Sequence, residues 1–64
     1  MNKNKLAAAI VAKGMKQKDV AKLLNMAPKT FYLKMKKGVF GTDEVAAMVK
    51  ILDIKDPVEI FLAN

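Results

Sequence analysis

With 64 residues, 53% of them apolar, the chain is long enough for one small domain with a modest core. It has no Cys and no His, which excludes a disulfide framework, thiolate metal sites and the usual general base at neutral pH. The net charge of +6 is split unevenly: residues 1–41 hold ten Lys against one Asp (+9), and residues 42–64 hold two Lys against five acids (−3).

A basic half of this kind points to a polyanionic partner. All twelve basic residues are Lys. An ammonium meets phosphate as a point charge but lacks the planar fork that reads guanine bidentately. Tight binding at low salt is therefore easier to argue than sharp guanine specificity.

Residues Lys3–Lys13 read as the first helix: the segment is rich in Ala, and Leu6, Ala9 and Ile10 share one face. Gly14 stands where a helix stop is expected. The apolar run Leu6–Ala12 is too short to span a bilayer. A lysine-rich start before an apolar stretch also fits a secretory signal, but cleavage would remove a helix that the core needs. A soluble cytoplasmic protein is expected instead.

The second helix, Lys16–Leu24, turns Val20, Ala21 and Leu24 inward. Asn25 follows where a left-handed residue is needed, a conformation Asn tolerates well. Only Asn25, Met26 and Ala27 separate this helix from the third, Pro28–Lys37. Helices joined so tightly cross steeply, which is the geometry of a helix-turn-helix. Pro28 suits the first helical position, Ala27 is a poor N-cap, and Gly38 ends the helix. Phe40 is expected to pin the next loop onto the core.

Thr42-Asp43-Glu44 offers a capping hydroxyl followed by two acids at the positive end of a fourth helix. Val45, Met48, Val49 and Leu52 then follow helical spacing. Asp56 and Glu59 form a capping-box pair for a short fifth helix entered through Pro57. No strand-like alternation or internal repeat is present. The expected fold is all-α, with five helices in a single domain over residues 1–64. Expected core residues are Val20, Ala21, Leu24, Phe31, Met35, Val45, Met48, Val49 and Leu52.

The third helix carries Lys29, Lys34, Lys36 and Lys37 on its polar side. Positions 29, 32, 33 and 36 trace one stripe opposite Phe31 and Met35. That stripe holds an exposed aromatic, Tyr32, and an exposed aliphatic, Leu33. One reading is the solvated surface of a basic helix. The other is a base-reading surface made by Pro28, Lys29, Thr30, Tyr32, Leu33 and Lys36, with Leu33 suited to a thymine methyl. Lys16, Lys18, Lys37 and Thr42 flank the stripe and suit phosphates. Gln17 is either a solvent-exposed polar start or a phosphate clamp.

Taken with the five helices, the Gln17–Gly38 segment resembles a helix-turn-helix of the phage-repressor type, the lambda-repressor-like or Cro/XRE family. The resemblance covers nearly the whole chain. It rests on Gln17 opening the second helix, the Val20-Ala21 pair, Leu24, Met26 in the turn, Phe31 and Gly38. The ending Asp56-Pro57-Val58-Glu59-Ile60-Phe61 is common in small phage and Gram-positive members. Asn25 stands where the family's turn usually has Gly, and Ala27 where Ser, Thr or Asn is usual.

The resemblance implies a compact lambda-repressor-like domain and favours the clamp role for Gln17. It implies transcription regulation by operator occupancy on double-stranded DNA, with residues 28–37 in the major groove. Two half-sites imply a dimer, and the apolar residues left near the C-terminus, Ile54, Val58, Phe61 and Leu62, are the expected surface of a weak homodimer. No cofactor, metal, membrane or small-molecule substrate is expected. The acids lack the pairing of a catalytic site, so an enzyme is not expected. The alternative is a small protein-interaction module on the same fold, such as an antirepressor or toxin–antitoxin component.

Overall fold

The computed structural model describes residues 1–63, which form five helices and no strand. The Cα radius of gyration is 10.4 Å, close to the ~11 Å expected of a folded chain this long. Helix α1 (Lys3–Ala12) starts at Asn2, whose side chain accepts a 3.1 Å hydrogen bond from the Lys5 N–H. That satisfies one of the orphan donors of the first turn. The helix stops at Lys13, and Gly14 takes φ +69.

Helix α2 (Gln17–Leu23) is one residue shorter at each end than its apolar pattern suggests. Lys16 is its extended N-cap, with its N–H held at 2.8 Å by the Asp19 carboxylate, and Leu24 is its C-cap. Asn25 adopts φ +60, and the Met26 N–H returns to the Ala21 carbonyl at 3.0 Å. This closes the connection to α3 (Pro28–Lys37). The proline forces Ala27 to be extended (ψ 144), so the new helix starts abruptly despite the absence of a capping side chain. At its other end Gly38 is left-handed, and the Gly38 and Val39 N–H groups both return to the Lys34 carbonyl, at 2.8 and 3.1 Å.

Phe40 folds back so that its ring lies 5.3 Å from Phe31. Helix α4 (Thr42–Ile51) begins differently from the expectation. Thr42 is the first helical residue and caps nothing; the N-cap is Gly41, whose N–H donates to the Glu44 carboxylate at 2.8 Å. Helix α5 (Pro57–Phe61) begins at Asp56, which accepts from the Glu59 N–H at 3.2 Å. Its Ile60 carbonyl accepts from the Asn2 N–H at 2.6 Å, tying α5 to the start of α1. No helix among the described residues is long and apolar enough to cross a membrane.

The core is Leu6, Ile10, Val20, Ala21, Phe31, Met35, Met48, Leu52 and Ile60, and no polar side chain is buried among the described residues. Leu24, Val45 and Val49, expected inside, are only half-buried. The reason is size: a domain this small has too little interior to cover every inward-facing position. Leu24 still packs against the core from its place at the helix end.

Helices α2 and α3 make the most extensive interhelical contact, and Ala21 is fully buried. Ala21→Leu is therefore expected to destabilise the fold by ~1–3 kcal/mol through overpacking. Thermal melts followed by circular dichroism would show the midpoint fall by several degrees. An unchanged midpoint would mean that the joint has room to spare.

Candidate nucleic-acid interface

Helix α3 is held from behind and bare in front. Phe31 and Met35 are buried, while Lys29, Tyr32, Leu33 and Lys36 are all exposed. At 3.6 residues per turn these four fall within about 100° of one another. Tyr32 and Leu33 are 47% and 50% exposed, an apolar strip between two ammonium groups. Thr30 is also exposed, on the Lys37 side of the strip. Pro28 sits elsewhere: it is exposed but lines a shallow depression with Lys18, Asp19, Lys22 and Met26, so it faces α2 rather than joining the strip.

Lys16 and Lys18 are exposed at the start of α2, and Gln17 is half-buried in its first turn. Lys37 is exposed in the last turn of α3. Thr42 opens α4 and is exposed, on the rim of a depression that it shares with Phe40, Val45, Pro57, Val58, Phe61 and Leu62.

Lys34 behaves differently from the other lysines of α3. It lies on the flank between the exposed strip and the buried face, and its Nζ is 2.6 Å from a Glu44 carboxylate oxygen. Among the described residues it is the only α3 lysine with a carboxylate partner. Glu44 is thus bonded twice, to Gly41 N–H and to Lys34, and binds α3 to the first turn of α4. The Lys34 hydrogen bond, seconded by the Gly41 N–H, holds its carboxyl below the ordinary value of 4.5, with burial opposing.

A carboxyl with a lowered folded pKa stabilises the fold at pH above its unfolded value and loses that contribution as pH falls through the folded one. Wild type should therefore lose stability relative to Glu44→Gln as pH falls from neutral to below the ordinary carboxyl value of 4.5. Melting midpoints of both proteins across that range check this. Parallel curves would show that the pair contributes nothing.

Sequence reasoning missed a second tie. Lys3 Nζ donates to the Lys36 carbonyl oxygen, and its side chain passes close to Gly38, where an added Cβ would come within 3.3 Å of the Lys3 Cε. The Schellman bonds use the Lys34 and Met35 carbonyls, so Lys3 supplies a partner to a carbonyl otherwise left at the helix end. Nothing in the local spacing of Lys3 signals this, because its partner is 33 residues away.

The four residues expected to form an association surface do not make one cluster. Val58 and Leu62 are exposed (61% and 74%), and Phe61 is half-buried against the core beside them. Ile54 is turned away, into a different depression with Lys5, Ala9 and Lys13. The left-handed Asp53 (φ +51) and the bond from Ile54 N–H to the Val49 carbonyl bend the chain back there. Lys5 also forms an ion pair with Glu59 across this side of the molecule.

Comparison of the chain with family models, with curated proteins and with solved structures finds no match.

Proposed function

We propose that the protein is a sequence-specific DNA-binding regulator of phage-repressor or Cro type. In this reading α2, the Leu24–Ala27 turn and α3 form a helix-turn-helix within a lambda-repressor-like domain. The observation that carries it is the front of α3: Lys29, Tyr32, Leu33 and Lys36 exposed together on a helix whose back is sealed by Phe31 and Met35. A rigid helix with a mixed ammonium and apolar face, on the basic half of the molecule, matches the acceptors and thymine methyls of a major groove.

Lys29, Thr30, Tyr32, Leu33 and Lys36 meet base edges in this account. Pro28 stands at the helix entry, beside α2. Lys16, Gln17, Lys18, Lys37 and Thr42 meet the flanking backbone, where contacts position the protein without reading sequence. Operator occupancy regulates by excluding other proteins from the same DNA, and no cofactor takes part. Three phosphate-neutralising lysines, Lys16, Lys18 and Lys37, imply a log–log salt slope of about −2.7 for one domain.

Selection of binding sites from random duplex DNA tests the reading. The expected product is a short motif, repeated with two-fold symmetry at a centre spacing of about one helical turn. Enrichment of no motif, with binding insensitive to salt, would replace DNA by an acidic protein partner.

The second half-site calls for a second copy, and the exposed Val58 and Leu62 beside Phe61 are the surface proposed for it. With Ile54 directed elsewhere, so small an apolar patch supports only weak association. Leu62→Asp should abolish concentration dependence in sedimentation while leaving helicity intact. A dimer that survives the substitution would place the interface on another face.

A further inference from the structure

Glu44 is an acid planted beside the most basic helix of the molecule, and its position is fixed. Its side chain is 17% exposed, with one carboxylate oxygen on the Gly41 N–H at 2.8 Å and the other on Lys34 Nζ at 2.6 Å. The first bond belongs to the cap of α4. The second joins residues ten apart in sequence and on different helices. Lys34 stands one turn from both Thr30 and Lys37, within reach of a phosphate were it free.

We infer that Glu44 is a specificity-determining residue: it withdraws Lys34 from the phosphate-binding set and uses it to hold α3 in register against α4. This rests on the DNA-binding reading above. The consequence is twofold. One fewer free cation weakens binding to every duplex alike, while a fixed helix orientation keeps Lys29, Tyr32 and Leu33 aligned for the preferred one. The first effect lowers preferred and scrambled affinities together; the second raises the ratio between them. Lys34 is in this account a positioning residue, and its absence from the DNA contacts is what separates it from Lys37.

The test is a set of duplex titrations, preferred sequence against scrambled, at several salt concentrations, with wild type, Glu44→Gln, Lys34→Met and Lys37→Ala. Glutamine retains an oxygen for the Gly41 N–H but releases Lys34. Glu44→Gln is expected to tighten scrambled binding and to steepen its salt slope by about 0.9, so that its advantage over wild type grows about 3.5-fold from 200 to 50 mM salt. Its preferred-to-scrambled ratio should fall. Lys34→Met should leave the slope unchanged and lower the ratio, whereas Lys37→Ala should flatten the slope by about 0.9.

If Lys34→Met flattens the slope as Lys37→Ala does, and Glu44→Gln leaves it unchanged, Lys34 is an ordinary phosphate contact and the inference is overturned. The DNA-binding reading would survive that result. A wild type that shows no salt-dependent duplex binding overturns that reading and this inference with it.

Discussion

Phe31→Ala should remove a large part of the protein's stability and bring its urea midpoint far down. Phe31 is fully buried on the inward face of α3, with the Phe40 ring 5.3 Å away. Truncating a buried phenylalanine costs about 3–5 kcal/mol in lost transfer energy and cavity formation. A domain of this size has a total stability of roughly 3–10 kcal/mol. The substitution therefore removes a large fraction of what holds the five helices together. Urea titration followed by far-ultraviolet circular dichroism is the measurement, with Tyr32→Ala as its companion. Tyr32 is the neighbouring residue but is 47% exposed, so its loss should shift stability by no more than about 0.5 kcal/mol. Equal midpoints for the two variants would mean that the back of α3 is not sealed against the core.

Much of this framework was legible in the sequence because local rules agree with one another there. Pro28 and Gly38 bracket α3 from both ends, and Asn25 takes the left-handed turn that its residue type favours. The start of α4 misled by one residue. A threonine hydroxyl is a good cap in isolation, but the extended backbone falls at Gly41, and the Glu44 carboxylate supplies the bond that a capping side chain would have made. Spacing arguments also reach only one helical turn. They cannot find Lys34 with Glu44 or Lys3 with the Lys36 carbonyl, since both contacts depend on how separate helices pack. The same limit applies to Ile54, grouped with Val58, Phe61 and Leu62 by composition and set apart from them by the left-handed Asp53. The face of α3 was readable for the opposite reason: it follows from the period of one helix and the apolar residues on its back.

The largest functional effect should come from the exposed strip. Lys29→Ala is expected to cost about 1–3 kcal/mol against the preferred sequence, concentrated at one base pair, and to relax selection there. Tyr32→Ala should act in the same direction, since Tyr32 shares the exposed face with Lys29 and Lys36. Lys37→Ala, at the end of α3, should weaken all duplexes alike. Titration of each variant with the preferred duplex and with single-base substitutions of it separates the two classes. If Lys29→Ala and Tyr32→Ala lower preferred and scrambled affinities equally, α3 is only an electrostatic anchor.

The most direct test of DNA binding through α3 is a chemical-shift map of the backbone amides, recorded while the protein is titrated with its selected duplex at low and at moderate salt. The account predicts that the largest changes fall within residues 28–37, with smaller ones at Lys16, Gln17, Lys18 and Thr42, and that the changes weaken as salt rises. Changes centred instead on Phe40, Val58, Phe61 and Leu62, with the amides of α3 unmoved, would contradict it.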